Sequence, residues 1–326
     1  MMRWGILSTA RINRRIIPAI RLARRCQLAA VASRDRGKAE AYAAEWSIPR
    51  AVVGYQTLLD SSDIDAVYIS LPNTEHVPWT LAAIAAGKHV LCEKPLALDP
   101  LDVDRIATAA GAAGVAVEEA FMYRHEPLTA RVQALLRDGA IGEVRAIVSG
   151  FTFAIESGPN IRLASGLGGG SLWDIGCYPV SYAQLIAGKE ATVVAGHALW
   201  HPAGVDEEFM GLLRFDGRLT ANIYSGFRAA FRTWLEILGT DAALTVPNPF
   251  RPSRVETLEI ERNGVMEPIA VEGSDALWVR MLENFTARVL DHAPPVVTLA
   301  ESRRTAATLA ALHSAAREDK RVVYTQ

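Results

Sequence analysis

The chain has 326 residues, half of them apolar and 21% charged, which excludes a disordered protein and leaves room for about two domains. Lys and Arg number 34 against 36 Asp and Glu, a net charge of −2, so nothing global draws the chain to nucleic acid or to an anionic membrane. No apolar stretch nears the roughly 20 residues of a membrane span, and no signal peptide is expected from the first residues. Cys26, Cys92 and Cys177 are too few and too scattered for a disulfide framework or a zinc site, so a cytoplasmic protein is expected.

Short, nearly continuous apolar runs mark strands at Trp4–Leu7, Leu28–Ser33, Ala51–Val53, Ala66–Ser70, His89–Cys92 and Val115–Val117. Helical patterns lie between them, as at Lys38–Trp46, Val77–Ala86 and Leu101–Ala110. The first helix is expected to start near Ile17, with Pro18 in its first turn, and Arg11, Arg14, Arg15, Arg21, Arg24 and Arg25 to form its solvated face. This alternation predicts right-handed βαβ units around a parallel sheet.

The pattern changes near residue 122. A helix is expected at Pro127–Arg137, then a long strand at Val144–Ile155 and successive strands from Thr192 to Val271. Asp216-Gly217 and Asn263-Gly264 favour tight hairpin turns between such strands. Helices at Asp275–Leu290 and Ala300–Ala316 close the chain. The fold class is therefore α/β: an N-terminal Rossmann-type domain over 1–122 and an α+β domain over 123–326 with a large, mostly antiparallel sheet. Ligands of open parallel sheets bind beyond the carboxyl ends of the strands, so a second domain over that edge would form a cleft.

A dinucleotide fingerprint would place glycines at positions 8, 10 and 13, after the first strand. The chain has Ser8, Ala10 and Asn13 there, within Ser8-Thr9-Ala10-Arg11-Ile12-Asn13. Ser and Ala are small enough to let main-chain N–H groups approach a pyrophosphate at a helix N-terminus. At the end of the second strand, Ser33-Arg34 stands where an acidic residue would hold a ribose diol, and Lys38 adds charge. A hydroxyl and a guanidinium suit a 2′-phosphate, which favours NADP; Asp35 keeps NAD open.

Glu93-Lys94-Pro95 follows the fifth strand, and Asp174-Ile175-Gly176-Cys177-Tyr178 follows the Gly168-Gly169-Gly170 turn. On a helix, Asp174 and Tyr178 share a face at i and i+4. Tyr is a poor base at its reference pKa of about 10, and a neighbouring ammonium such as that of Lys94 favours the phenolate. These three residues make an acid–base set for interconverting a hydroxyl and a carbonyl.

Trp4-Gly5-Ile6-Leu7-Ser8-Thr9-Ala10-Arg11-Ile12, Glu93-Lys94-Pro95 and Asp174-Ile175-Gly176-Cys177-Tyr178 together resemble the Gfo/Idh/MocA oxidoreductase family, and the resemblance spans essentially the whole chain. It implies a Rossmann domain followed by a domain whose open sheet often mediates oligomerisation, here a homodimer or homotetramer. Lys94 would lie near the nicotinamide, Pro95 would follow a cis peptide bond, and Asp174 would bind substrate. Tyr178 and Ser33-Arg34 are similar to the NADP-using branch that holds glucose–fructose oxidoreductase, D-xylose dehydrogenases and dihydrodiol dehydrogenases. Leu71-Pro72-Asn73, His76, Glu93 and Glu119 match cofactor-contact positions, and Arg162 matches a cofactor or substrate contact. The implied reaction is hydride transfer between NADP and a sugar hydroxyl or carbonyl, with Tyr178 as general acid–base and Lys94 assisting.

Trans-dihydrodiols or a keto-sugar nucleotide are the alternative substrates, and Phe151, Phe153, Trp173, Phe227 and Trp234 are candidates to line a site for either. A non-catalytic NADP-binding regulator is the rival of another class, but a sensor needs none of Lys94, Asp174 and Tyr178. The seven histidines offer no helical i, i+4 pair, so no metal is expected.

Overall fold

A computed structural model describes residues 1–156, 158, 160–273 and 277–318. The chain divides into two compact units. The first holds Met1–Glu126 and, late in the chain, the segment from Leu277 to Arg303; the second holds Pro127 to 273 and the chain from Arg304.

In the first unit, strands β1 (Met2–Leu7), β2 (Cys26–Ser33), β3 (Arg50–Val53), β4 (Ala66–Ile69), β5 (His89–Cys92) and β6 (Val117–Glu119) form one sheet in the order β3-β2-β1-β4-β5-β6. Every pairing is parallel. Ile6, Val31, Val67, Ile69, Val90 and Leu91 are fully buried, as strands covered on both faces require. The helices between the strands are α1 (Asn13–Leu22), α2 (Arg36–Glu45), α3 (Tyr55–Leu59), α4 (Asn73–Ala85) and α5 (Pro100–Ala113), and α8 (Leu277–Asp291) packs on α1. The chain moves outward from β1 to β3, then crosses to β4 on the other side of β1. The carboxyl ends of β1 and β4 are therefore the switch point, where such sheets bind ligands.

Two local expectations are corrected. Helix α1 starts at Asn13, not near Ile17, so Pro18 lies in its interior; Ile16, Ile17 and Ile20 are fully buried, and their packing outweighs the missing N–H. The sixth strand is Val117–Glu119 rather than Val115–Val117, because Gly114 caps α5 in the left-handed region and the chain then needs two residues to reach the sheet. The short helix α3 has too few turns to show a period in sequence.

The second unit contains α6 (Pro127–Arg137), β7 (Val144–Thr152), α7 (Cys177–Ala187), β8 (Val193–Trp200), β9 (Asp206–Arg214), β10 (Thr220–Gly226), β11 (Arg232–Gly239), β12 (Ala243–Val246), β13 (Val255–Arg262) and β14 (Val265–Glu272). Its eight strands run β14-β13-β12-β11-β7-β10-β9-β8. All neighbours are antiparallel except β7 and β10. Asn263 and Gly264 both take positive φ between the paired Arg262 and Val265, the two-residue hairpin that their sequence favours. Phe209 and Leu213 of β9 point into the core, while Met210 and Leu212 alternate outward and stay nearly half exposed. Helix α7 covers β7 and β10 on the inner face. The final helix, α9 (Leu299–Glu318), holds α7 through Thr308 and the main chain of Arg304, both bonded to Gln184. The expected strand beyond Thr152 is a looser extension, in which Phe153 and Ile155 donate to the carbonyls of Gly226 and Phe227.

Candidate active site

The turn after β1 shows how the missing glycines are replaced. Ser8 itself takes φ +113°, the region that usually selects glycine. Its hydroxyl lies 3.0 Å from both the carbonyl and the hydroxyl of Ser70, and it accepts the Ala10 N–H at 3.1 Å. Asn13, fully buried, donates from its amide to the Ser8 carbonyl (2.9 Å) and accepts from the Ser70 hydroxyl (2.7 Å). A buried Ser8–Asn13–Ser70 network thus ties the carboxyl ends of β1 and β4 together at the N-terminus of α1. Thr9, Ala10 and Ile12 are half-buried on this turn and Arg11 is exposed. Ser70 was invisible in the sequence, because its partners lie some sixty residues away.

At the end of β2, Ser33 accepts the Asp35 N–H (3.2 Å). Asp35 caps α2 by accepting the Lys38 N–H (2.7 Å). Its carboxylate is therefore engaged in holding a helix, which weakens the case for Asp35 as a ribose acceptor. Arg34 and Lys38 are exposed there, with the Tyr55 hydroxyl beside Arg34. After β4, Leu71 is buried, Pro72 precedes α4 and Asn73 is its first residue.

After β5, Lys94 is half-buried and the Lys94–Pro95 bond is cis, as the resemblance implied. Glu93 donates its N–H to Ile69 (2.9 Å), and its carboxylate accepts the Tyr68 hydroxyl. His76 and Glu119, the two other expected cofactor contacts of this region, are interior side chains. Both are 1% exposed and both bond main chain: His76 at the carbonyls of Pro95 and Leu71, Glu119 at the N–H of Leu96.

In the second unit, a π-helical turn at Leu172–Gly176 leads directly into α7, so Asp174 and Tyr178 straddle the junction. π-helical turns are rare and often mark functional positions. Arg162 donates to the Asp174 carboxylate at 2.5 Å and lies 5.5 Å over the Phe153 ring. Its direct partner is thus the acidic residue to which the resemblance gives a substrate role. Tyr178 is 5% exposed, its ring 5.4 Å from both Phe151 and Phe250. Phe231, half exposed, meets Phe151 edge-on, and Arg251 lies over Phe231.

The aromatic candidates divide. Phe151, Phe153 and Phe227 are contiguous through ring contacts of 6.3 and 5.3 Å. Trp173 instead packs against His313, and Trp234 lies across Gly150 on the opposite face of the sheet, because neighbouring residues of a strand point to opposite sides. Phe231 and Phe250 were not singled out from the sequence; both sit in loops, where no periodicity marks them. A cleft of about 590 Å³ opens beside Phe227, walled by Asn160, Leu163, His201, Glu207 and Arg228.

Among the described residues no group of three His, Cys, Asp or Glu side chains is placed to hold a metal ion. Burial raises the Glu126 carboxyl to about pH 7, and neither of its oxygens has a hydrogen-bond partner. A carboxyl raised in this way lends stability below its unfolded pKa and loses it as pH rises through 7. Glu126→Gln should therefore raise the melting temperature by a few degrees at pH 8 and change it little at pH 5. Thermal melts at the two pH values measure this.

The profile described as "Oxidoreductase family, NAD-binding Rossmann fold" matches residues 2–121, and that of the GFO/IDH/MocA C-terminal domain matches residues 129–245. The chain is 35% identical over 319 residues to D-xylose 1-dehydrogenase (NADP(+)) 2 of Haloferax volcanii, covering 97% of both chains. It is 39% identical over 267 residues to the dTDP-3,4-didehydro-2,6-dideoxy-alpha-D-glucose 3-reductase of Streptomyces violaceoruber, covering 80% of this chain and 78% of that one. The 3-ketoreductase KijD10 of Actinomadura kijaniata, solved with NADP and TDP-benzene, superposes with a TM-score of 0.90 at 30% identity, over 96% of this chain and 97% of that one. With both of its halves matched and its sheet orders in place, the chain belongs to the Gfo/Idh/MocA family of oxidoreductases.

Proposed function

We propose that this protein is an NADP-dependent oxidoreductase that interconverts a sugar hydroxyl and a carbonyl, with a free aldose of the D-xylose or glucose type as its substrate. The observation that carries the reading is the Asp174–Tyr178 pair, its carboxylate held by Arg162 and its phenol seated among Phe151 and Phe250. The D-xylose dehydrogenase relative, matched end to end, supports the aldose.

The donor set of the first unit fits the dinucleotide. The Ser8 turn and the α1 N-terminus, with Thr9, Ala10, Arg11 and Ile12, suit a pyrophosphate. Ser33, Arg34 and Lys38 suit a 2′-phosphate. Leu71, Pro72, Asn73, Glu93 and Lys94 are assigned to the nicotinamide half. When bound, NADP accepts or returns a hydride at its nicotinamide ring. Tyr178 exchanges the proton of the reacting hydroxyl at its phenolic oxygen. Lys94 stabilises the negative charge that develops on that oxygen. Asp174 orients the substrate hydroxyls, and Arg162 fixes Asp174. The cleft at Phe227, Glu207 and Arg228 has the apolar floor and polar wall that a sugar needs.

Arg34→Ala should weaken NADPH binding by about 10–100-fold and leave NADH binding unchanged, the cost of one charge-assisted pair. Fluorescence titration with each cofactor measures both. The outward apolar residues of the second sheet, Met210 and Leu212, support a second copy of the chain as partner, in a homodimer or homotetramer. Cys26, Cys92 and Cys177 form no disulfide, which supports a cytoplasmic setting.

A keto-sugar nucleotide is the second reading. The exposed Phe231 with Arg251 over its ring offers a base a stacking face and a diphosphate a cation. The test is NADPH absorbance with D-xylose, D-glucose, a trans-dihydrodiol and a dTDP-keto-sugar. Turnover of an aldose supports the first reading, turnover of the nucleotide sugar alone the second. NADPH binding without turnover of any of them sinks both.

A further inference from the structure

We propose that Glu119 and His76 are positioning residues, which together set the Lys94 turn and couple its ammonium to a buried carboxyl. This rests on the reading that Lys94 acts at the reacting oxygen.

The geometry is confined to the first unit. The peptide groups that follow Lys94 are held by side chains shielded from solvent. The Pro95 carbonyl is 2.7 Å from Nδ1 of His76, and the Leu96 N–H donates to Oε1 of Glu119 at 2.9 Å. The other ring nitrogen of His76 lies 2.8 Å from the Leu71 carbonyl. One imidazole thereby links the turns after β4 and β5, the two turns assigned to the nicotinamide half of the cofactor. The second oxygen of Glu119, Oε2, is buried without a hydrogen-bond partner. A buried carboxylate oxygen left unbonded is costly unless a charge compensates it.

The groups facing Glu119 are Lys94 on its own turn, Arg124 in the 3₁₀ turn after β6, Ser302 of α9 and the Cys92 thiol of β5. Arg124 is itself paired with Glu301 at 2.8 Å. Burial raises the Glu119 carboxyl to about 7, with Lys94 and Arg124 pulling the other way. Loss of the Glu119 proton therefore places a buried negative charge in the field of the Lys94 ammonium.

The chain has five lysines, so the Lys94 Cε signal can be followed by NMR in isotope-labelled, NADP-bound enzyme and assigned by its loss in Lys94→Arg. A step in that signal near pH 7 is expected in the wild type and should vanish in Glu119→Gln. In turnover, Glu119→Ala should lower kcat by about 10–100-fold, the scale of a displaced catalytic group, with NADPH affinity held within about threefold. Glu119→Gln keeps an oxygen for the Leu96 N–H and should recover most of that loss. His76→Ala should lower kcat similarly, and neither alanine variant should add to Lys94→Ala. A signal with no step, a step that survives Glu119→Gln, or full turnover in Glu119→Ala overturns the proposal. Full turnover in Lys94→Ala instead overturns the reading of Lys94, and the NMR titration distinguishes the two failures without any substrate.

Discussion

Tyr178→Phe is expected to lose about 10²–10⁴-fold in turnover, the range for a removed general acid–base group. NADPH should bind within about twofold of the wild type. The reasoning separates the hydroxyl from the ring. The ring packs 5.4 Å from Phe151 and from Phe250, and its neighbour in α7, Tyr182, reaches Phe250 as well. Phenylalanine keeps all of that packing, so α7 and the inner face of β7 keep their places. Only the proton-carrying oxygen goes. The loss should fall on kcat and kcat/KM alike, because the group acts at the reacting oxygen rather than in uniform binding. Steady-state kinetics alongside an NADPH titration measure both. Unchanged kcat would remove Tyr178 from the chemistry, and a parallel loss of cofactor affinity would show a folding defect instead.

The parts of this site visible in the sequence are those fixed by local chemistry. Glu93-Lys94-Pro95, Asp174 and Tyr178 sit in short runs whose residue types suggest their roles, and strand β5 was bounded to the residue by its apolar run. The network that replaces the dinucleotide glycines was not visible. Asn13 reads in sequence as a failed glycine, yet it is fully buried and binds both Ser8 and Ser70. Only the pairing of β1 with β4 brings Ser70 there. His76 and Glu119 match cofactor-contact positions in the sequence, while their burial and their bonds to main chain are visible only in three dimensions. Pro18 is the opposite case, where a local rule predicted a helix boundary and buried isoleucines overrode it. Trp234 is set apart from Phe151 by one residue of register. Its partner across the strands is Gly150, whereas Phe151 pairs with Thr233, and that single step in register places the tryptophan on the other face.

The second large effect is expected far from any reacting atom. Gly170→Ala should destabilise the second unit by about 3–5 kcal/mol, the range reserved for strain and overpacking at a buried site. Gly170 takes φ +121°, and a β-carbon there would stand 2.2 Å from Oδ1 of Asp206. Asp206 is 1% exposed, and its other oxygen accepts the Ser171 hydroxyl and the Leu172 N–H, both at 2.7 Å. It therefore anchors the first residue of the π-helical turn that carries Asp174. Gly170 also donates to the Arg162 carbonyl at 2.8 Å and accepts the Asp174 N–H at 3.0 Å. A methyl group at this position presses on Asp206, and through it on the turn that carries Asp174. Protein that still folds should turn over more slowly, and a melting temperature within a few degrees of the wild type would refute the packing argument. The same carboxyl gives a control of opposite sign. Burial raises Asp206 to about 6, so the stability its proton lends is complete below the unfolded carboxylate range and is lost as pH rises through 6. Asp206→Asn never ionises, so it should compare best with the wild type at pH 8 and worst at pH 5. Gly170→Ala should be destabilised at both, because a steric conflict does not titrate.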